Sequence, residues 1–186
     1  MRLIIFNKDE FGKRVEKVAK AEGKYSEIYY LDDENEDNDI LSPRADYFLY
    51  IDDDTYFFPA YEDNERRLSW LHRLMETGAN LANIISPEAK ISEGARLIAG
   101  ELIFENAVIG KNAVLKTGCI VEKNAEVSEG CILEESVRVC EGAKISDLNK
   151  IPPKMLIKAG RIVESGKYSL LAKIESETWE ARHSGT

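Results

Sequence analysis

The sequence predicts an α/β domain joined to an all-β one. A small Rossmann-like βαβ domain covers residues 1–84, a left-handed parallel β-helix of about four coils covers 85–157, and a C-terminal extension covers 158–186. Three observations predict this arrangement. An aliphatic residue recurs every six positions from Ile85, a small residue recurs four positions after most of these, and strands alternate with helices before Asn80.

Stepping by six from Ile85 meets Ile91, Leu97, Ile103, Ile109, Leu115, Val121, Val127, Leu133, Val139, Ile145, Ile151 and Ile157, all aliphatic. The second phase runs Ala89, Ala95, Glu101, Ala107, Ala113, Cys119, Ala125, Cys131, Val137, Ala143, Asn149 and Met155. It is mostly small, as the interior of a triangular coil requires. A helix repeats every 3.6 residues and a strand every two, so neither keeps step with six for so long. A coil with one hexapeptide per side does. Turn-prone pairs such as Glu93-Gly94, Glu105-Asn106, Lys123-Asn124 and Glu141-Gly142 sit at one phase and mark the corners. An antiparallel meander needs strands of variable length joined by hairpin turns, which a strict period of six does not supply.

The first domain opens with a strand over Arg2–Phe6 and a helical pattern from Gly12 to Ala21. Ser26–Leu31 reads as a second strand and Tyr47–Ile51 as a third. Asn64–Thr77 reads as a helix carrying Leu68, Leu71 and Leu74, stopped by Gly78. Asn80–Ile85 leads into the first coil without a flexible linker, which predicts a rigid joint. The stretch from Tyr168 to Arg182 reads as a short helix capping the last coil.

A net charge of −9 opposes binding to nucleic acid or to an anionic membrane surface. No run of about 18 apolar residues is present and the start lacks a signal-peptide pattern, which predicts a cytoplasmic protein. Cys119, Cys131 and Cys140 lie within the repeat without the paired spacing of a zinc site, so they read as reduced thiols and no metal site is expected. Asp33, Asn35, Asp37 and Asp39 alternate like the opening of a calcium loop. The sixth position is Asn38 where glycine is needed, and the twelfth is Arg44 where a bidentate glutamate is needed, so the stretch reads as a solvated acidic loop.

The order of parts, with Tyr30-Leu31-Asp32-Asp33, Asn83-Ile84-Ile85-Ser86-Pro87, Leu115-Lys116-Thr117-Gly118-Cys119-Ile120-Val121-Glu122 and Ile151-Pro152-Pro153, resembles the sugar-nucleotide acyltransferases of the bacillosamine and sialic-acid type. The resemblance covers nearly the whole chain. It implies a homotrimer that uses acetyl-CoA, with a sugar nucleotide on the α/β domain and coenzyme A along the β-helix between subunits. Asp32 and Asp33 are the substrate-binding candidates it suggests. Lys158 and Arg161, just after the last coil, are the candidates for coenzyme A phosphates.

Three departures from the family's pattern bear on chemistry. The turn after the first strand, Asn7-Lys8-Asp9-Glu10-Phe11-Gly12, keeps one glycine and places two carboxylates where a diphosphate would meet open backbone. The expected third strand ends in Asp52-Asp53-Asp54 instead of glycine. Acyl transfer needs a proton acceptor, and the position of the family's histidine holds Lys123, an ammonium at neutral pH unless burial shifts it by about three units. No catalytic residue is matched; Glu122 and Lys123 are the candidates, weighed against a solvated pair that does no chemistry.

His72, off the apolar stripe of its helix, reads as a surface residue, and His183 as a tail residue. Glu101 occupies a phase otherwise filled by small residues and reads as an end-coil side chain reaching solvent, with a subunit or ligand contact as the alternative. Cys119 reads as core. The readings that remain are a trimeric binding or scaffold protein that has lost catalysis and needs no cofactor, which the departures favour, and an acetyl-CoA-dependent acyltransferase acting on an amino or hydroxy sugar nucleotide with a base other than histidine.

Overall fold

A computed structural model describes residues 1–35 and 37–168. Strands β1 (Arg2–Phe6), β2 (Glu27–Leu31), β3 (Ile40–Ser42), β4 (Thr55–Pro59) and β5 (Asn80–Leu81) form one parallel sheet in the order β3-β2-β1-β4-β5. That is the doubly wound order of a Rossmann-like sheet. Helix α1 (Glu10–Glu22) starts two residues before the sequence pattern suggests. The Asp9 side chain accepts the Gly12 N–H at 2.8 Å and caps it, and Gly23 ends it in the left-handed conformation at φ 71°. Helix α2 (Asn64–Glu76) is capped in the same way by Asp63, which accepts from the Arg66 N–H at 2.7 Å.

The strand expected at Tyr47–Ile51 is instead part of a 3₁₀ helix over Arg44–Tyr50, and the strand beside β1 is β4. Pro43 precedes this helix, and the Asp33 carboxylate takes both the Arg44 N–H and its guanidinium, which fixes the first turn. Tyr47 is then buried against Phe6 and Trp70, while Phe48 and Leu49 point out. Pro59 ends β4 and is tolerated there because β5 pairs only with Tyr56 and Phe57, so no ladder bond on that side needs its missing N–H.

From β6 (Ile84–Ile85) to β19 (Ile162–Val163) a two-residue strand recurs every six residues, and each pairs in parallel with the strand 18 residues on. Three sheets of five, four and five strands result, the faces of a left-handed β-helix. The sequence-derived frame ends at Ile157; β19 carries the coil one side further. Both phases of the repeat are interior, with Ile103, Val121, Val139 and Ile157 on one side and Ala107, Ala125 and Ala143 directly after a corner. The corner phase is the one with positive φ, at every sixth residue from Gly94 to Gly166. Glycine and asparagine hold most of these corners at little cost, but Ser136, Leu148 and Lys154 adopt the same left-handed conformation at φ 56°, 59° and 62°.

The open end is closed by Asn149, whose side-chain amide donates to the Ser146 and Glu164 carbonyls and whose Oδ1 accepts the Tyr168 N–H. The tail helix expected beyond Tyr168 and His183 lie outside the described residues.

Helix α1 lies on the face built by β6, β9 (Leu102–Ile103), β12 (Ile120–Val121), β15 (Arg138–Val139) and β18 (Leu156–Ile157). Phe11, Val15 and Val18 share one buried cluster with Ile84, Leu102, Phe104 and Ile120, so the joint is a continuation of the core. Helix α2 sets Leu71 onto the corner at Gly100 and Gly118, where a Cβ would lie 2.8 and 2.3 Å from its methyl carbons. Fully buried Arg67 fastens the same contact, donating to the Gly118, Ser136 and Tyr61 carbonyls and to Asn64 Oδ1. Burial pushes its guanidinium down to about 10, and carbonyl oxygens take the place of a carboxylate partner. Among the described residues no helix is long and apolar enough to cross a membrane.

Candidate functional site

Because a coil takes 18 residues, corner residues stack in columns. In one column Glu105 lies beside Lys123, Lys123 beside Glu141, and Glu141 beside Ala159, tied by Asn124 N–H to Glu105 C=O (3.1 Å), Gly142 to Lys123 (3.0 Å) and Gly160 to Glu141 (2.9 Å). Helix α1 passes this column, held there by its apolar face. Between the two lies a cleft of about 370 Å³, with Arg14, Lys17 and Val18 of α1 facing Phe104, Glu105, Glu122, Lys123 and Glu141 of the coils. The two candidates from the sequence, Glu122 and Lys123, therefore meet a helix that no motif had linked to them.

Glu122 is buried at 6% exposure, not solvated as its corner position suggested. Arg138, one coil on, donates to its Oε1 from Nε at 2.8 Å and from Nη2, and the Glu141 N–H lies 3.3 Å from Oε2. Burial works against the charged guanidinium of Arg138, but the bonds from Glu122 outweigh it and hold the group above its ordinary range. The same guanidinium donates to Glu62 Oε1 at 2.9 Å, and Arg14 lies 3.8 Å from that oxygen. An ion chain Arg14–Glu62–Arg138–Glu122 thus runs from α1 through the β4–α2 loop into the coil. Arg14 also rests over the Phe104 ring at 4.9 Å. The sequence reading missed Arg138 and Glu62. The available signal was an arginine at the outward strand phase that carries Ile84, Leu102, Ile120 and Leu156 in the other coils.

Lys123 is exposed, with no ion pair among the described residues. Lys158 and Arg161 are exposed too, around the next corner of the same column, with the Arg161 N–H on the Lys158 carbonyl at 3.1 Å. Lys158 stands two coils from Glu122, roughly 10 Å along the column at the usual strand spacing.

Asp32 and Asp33 lie away from this cleft, and their carboxylates are engaged. Asp32 accepts the Lys8 N–H at 2.5 Å and the Glu34 N–H at 2.8 Å; burial opposes its charge, but these bonds hold it below the usual carboxylate range. Asp33 is held low by Arg44. The loop expected to be solvated is pinned by Lys8, whose ammonium lies 2.8 Å from Asp37 and 2.5 Å from Asp39. The α1 N-terminus, where a diphosphate would look for free N–H groups, is filled by Asp9, braced by the Asn7 amide at 2.6 Å. No group of three or more potential metal-binding side chains occurs among the described residues.

Glu101 is fully buried instead of reaching solvent, at the interior phase next to Gly100, onto which α2 sets Leu71. Its Oε1 accepts the Ala99 N–H at 3.0 Å, its Oε2 has no partner, and burial raises it to about 8. Cys119 is wholly buried and its thiol is pushed up by burial and then by Glu101, so it is core, as read. His72 is half exposed, its Nε2 3.6 Å from Glu135 Oε1, far in sequence from any cleft residue of the coils.

No family model matches the chain, and no curated protein matches it by sequence. Solved structures do. The acetyltransferase domain of PglB from Neisseria gonorrhoeae FA1090 is 26% identical, with a TM-score of 0.81 over 87% of this chain and 81% of that one, and it is also known in complex with acetyl coenzyme A. PerB from Caulobacter crescentus, in complex with CoA and GDP-perosamine, is 17% identical with a TM-score of 0.67 over 88% and 89% of the two chains. WeeI from Acinetobacter baumannii AYE is 17% identical with a TM-score of 0.59 over 89% and 90%. At those identities the last two speak for the fold alone.

Proposed function

We propose that this chain, a protein of the sugar-nucleotide acyltransferase type in fold and domain order, binds a phosphate-bearing nucleotide ligand in the cleft between α1 and the coils and does not transfer an acyl group. One observation carries the reading: the position where the resemblance places the base holds an exposed ammonium, Lys123, and the adjacent carboxylate is closed off by Arg138 and the Glu141 N–H. An ammonium gives protons and does not take them, and a carboxylate whose oxygens are both occupied is a poor acceptor. Arg14, Lys17 and Lys123 supply cations for phosphate oxygens. The Rossmann-like crevice, by contrast, is occupied by Asp9, Asp32 and the Lys8-pinned loop. The proposed assembly is a homotrimer.

Calorimetric titration with UDP and with CoA, a mass measurement in solution and a thiol-release assay with acetyl-CoA and a UDP-amino sugar test this together. Saturable binding of UDP by a trimer that releases no thiol above buffer is expected. Thiol release that depends on the amino sugar would sink the reading.

A second reading is favoured by the likeness to the PglB acetyltransferase domain: acetyl-CoA-dependent transfer to an amino or hydroxy sugar nucleotide. Half-buried Glu105 would then have to accept the proton, with Lys158 and Arg161 meeting CoA phosphates.

A further inference from the structure

The charged groups of the cleft and its ion chain balance: Arg14, Lys17, Lys123 and Arg138 against Glu62, Glu105, Glu122 and Glu141. A neutral site is a poor one for a dianion. The balance is not built evenly, however. Glu122 is buried and locked to Arg138, whereas Glu62 is about half exposed, comes from the β4–α2 loop, and holds Arg14 only loosely at 3.8 Å. Without Glu62, Arg138 still has its partner, and Arg14 is left facing the cleft beside Lys17.

We propose that Glu62 is a built-in competitor for the anionic group of the ligand, occupying with its own carboxylate the subsite between Arg14 and Arg138. The ligand class is a phosphate ester or diphosphate, since the vacated site offers the guanidinium fork of Arg14 with Lys17 and Lys123 nearby, while Arg138 stays on Glu122. Phe104 and Phe11 fix the guanidinium of Arg14 from below at 4.9 and 5.6 Å, so the subsite is preformed. A ligand that enters must displace an exposed carboxylate, which makes affinity strongly dependent on that one side chain.

This inference rests on the cleft being the ligand site, and the test separates the two. UDP is titrated into the wild type, Glu62→Gln, Arg14→Gln and Glu65→Gln; Glu65 is an exposed partner of Lys154 outside the cleft, so its variant changes net charge equally. Glu62→Gln is expected to bind UDP about ten-fold tighter, the size of one charge at close range through partly screened solvent, while Arg14→Gln binds more weakly and Glu65→Gln is unchanged. Equal affinity of wild type and Glu62→Gln overturns the competitor but leaves the cleft reading standing. An equal gain in Glu65→Gln overturns it as a net-charge effect. Absence of UDP binding in all four overturns both.

Discussion

Arg138 reaches back one coil to Glu122 and forward to Glu62 with a single guanidinium, at 2.8 Å from Nε to the first and 2.9 Å from Nη2 to the second. This arrangement joins the β-helix to the α/β domain through charge, beside the position where the resemblance would place a base. Replacing Arg138 by Gln leaves Glu122 buried without its partner. A loss of about 2–4 kcal/mol in urea denaturation is expected, more than exposed ion pairs yield. A change within a few tenths of a kcal/mol would mean that water reaches Glu122 freely.

Glu101 predicts a pH dependence. Its folded-state value is raised from 4.5 to about 8, so the folded state holds the proton more tightly than the unfolded chain. The stability tied to that proton is fully present below pH 4.5, is lost as pH rises towards 8 and stays lost above it, at no more than about 1.4 kcal/mol per pH unit. In Glu101→Gln this slope disappears. Urea midpoints at pH 5, 7 and 9 check it: the wild type falls relative to the variant across the series, and parallel profiles would refute the assignment.

Gly118→Ala places a methyl 2.3 Å from Leu71 Cδ1 and does so at φ 79°. Steric overlap and backbone strain together give an expected loss of about 2–4 kcal/mol. Leu71→Ala alone costs a similar amount through its cavity. In the double variant the clash is relieved, so the two losses add to less than their sum; strict additivity would show that the contact is not as close as described.

Leu148 occupies a corner at φ 59° that glycine or asparagine fills in most other turns, and the residue is 68% exposed. Leu148→Asn is therefore expected to stabilise the protein by roughly 0.5–1 kcal/mol, read as a rise in melting temperature. A fall would indicate that its packing on Gly130 outweighs the strain.

By itself the sequence determined the β-helix almost residue by residue. Each six-residue side must bury one aliphatic residue and turn one corner, so Ile85 to Ile157 and the corners Gly94, Asn106, Asn124 and Gly142 carry their positions in a local, periodic code. It also placed β1, β2 and α2, and through the family resemblance it offered Glu122 and Lys123 as candidates, weighed against a solvated pair that does no chemistry. The 3₁₀ helix at Arg44–Tyr50 was not legible, because what starts it is Asp33, eleven residues back. Nor were the burial of Glu122 and Glu101 or the part played by Arg14, Glu62 and Arg138. These depend on which face of the coil α1 and α2 cover, and hence on contacts between residues tens of positions apart. Periodicity fixes which way a side chain points within its own element; only the packing of one element against another decides whether water, a carboxylate or a guanidinium waits at its tip.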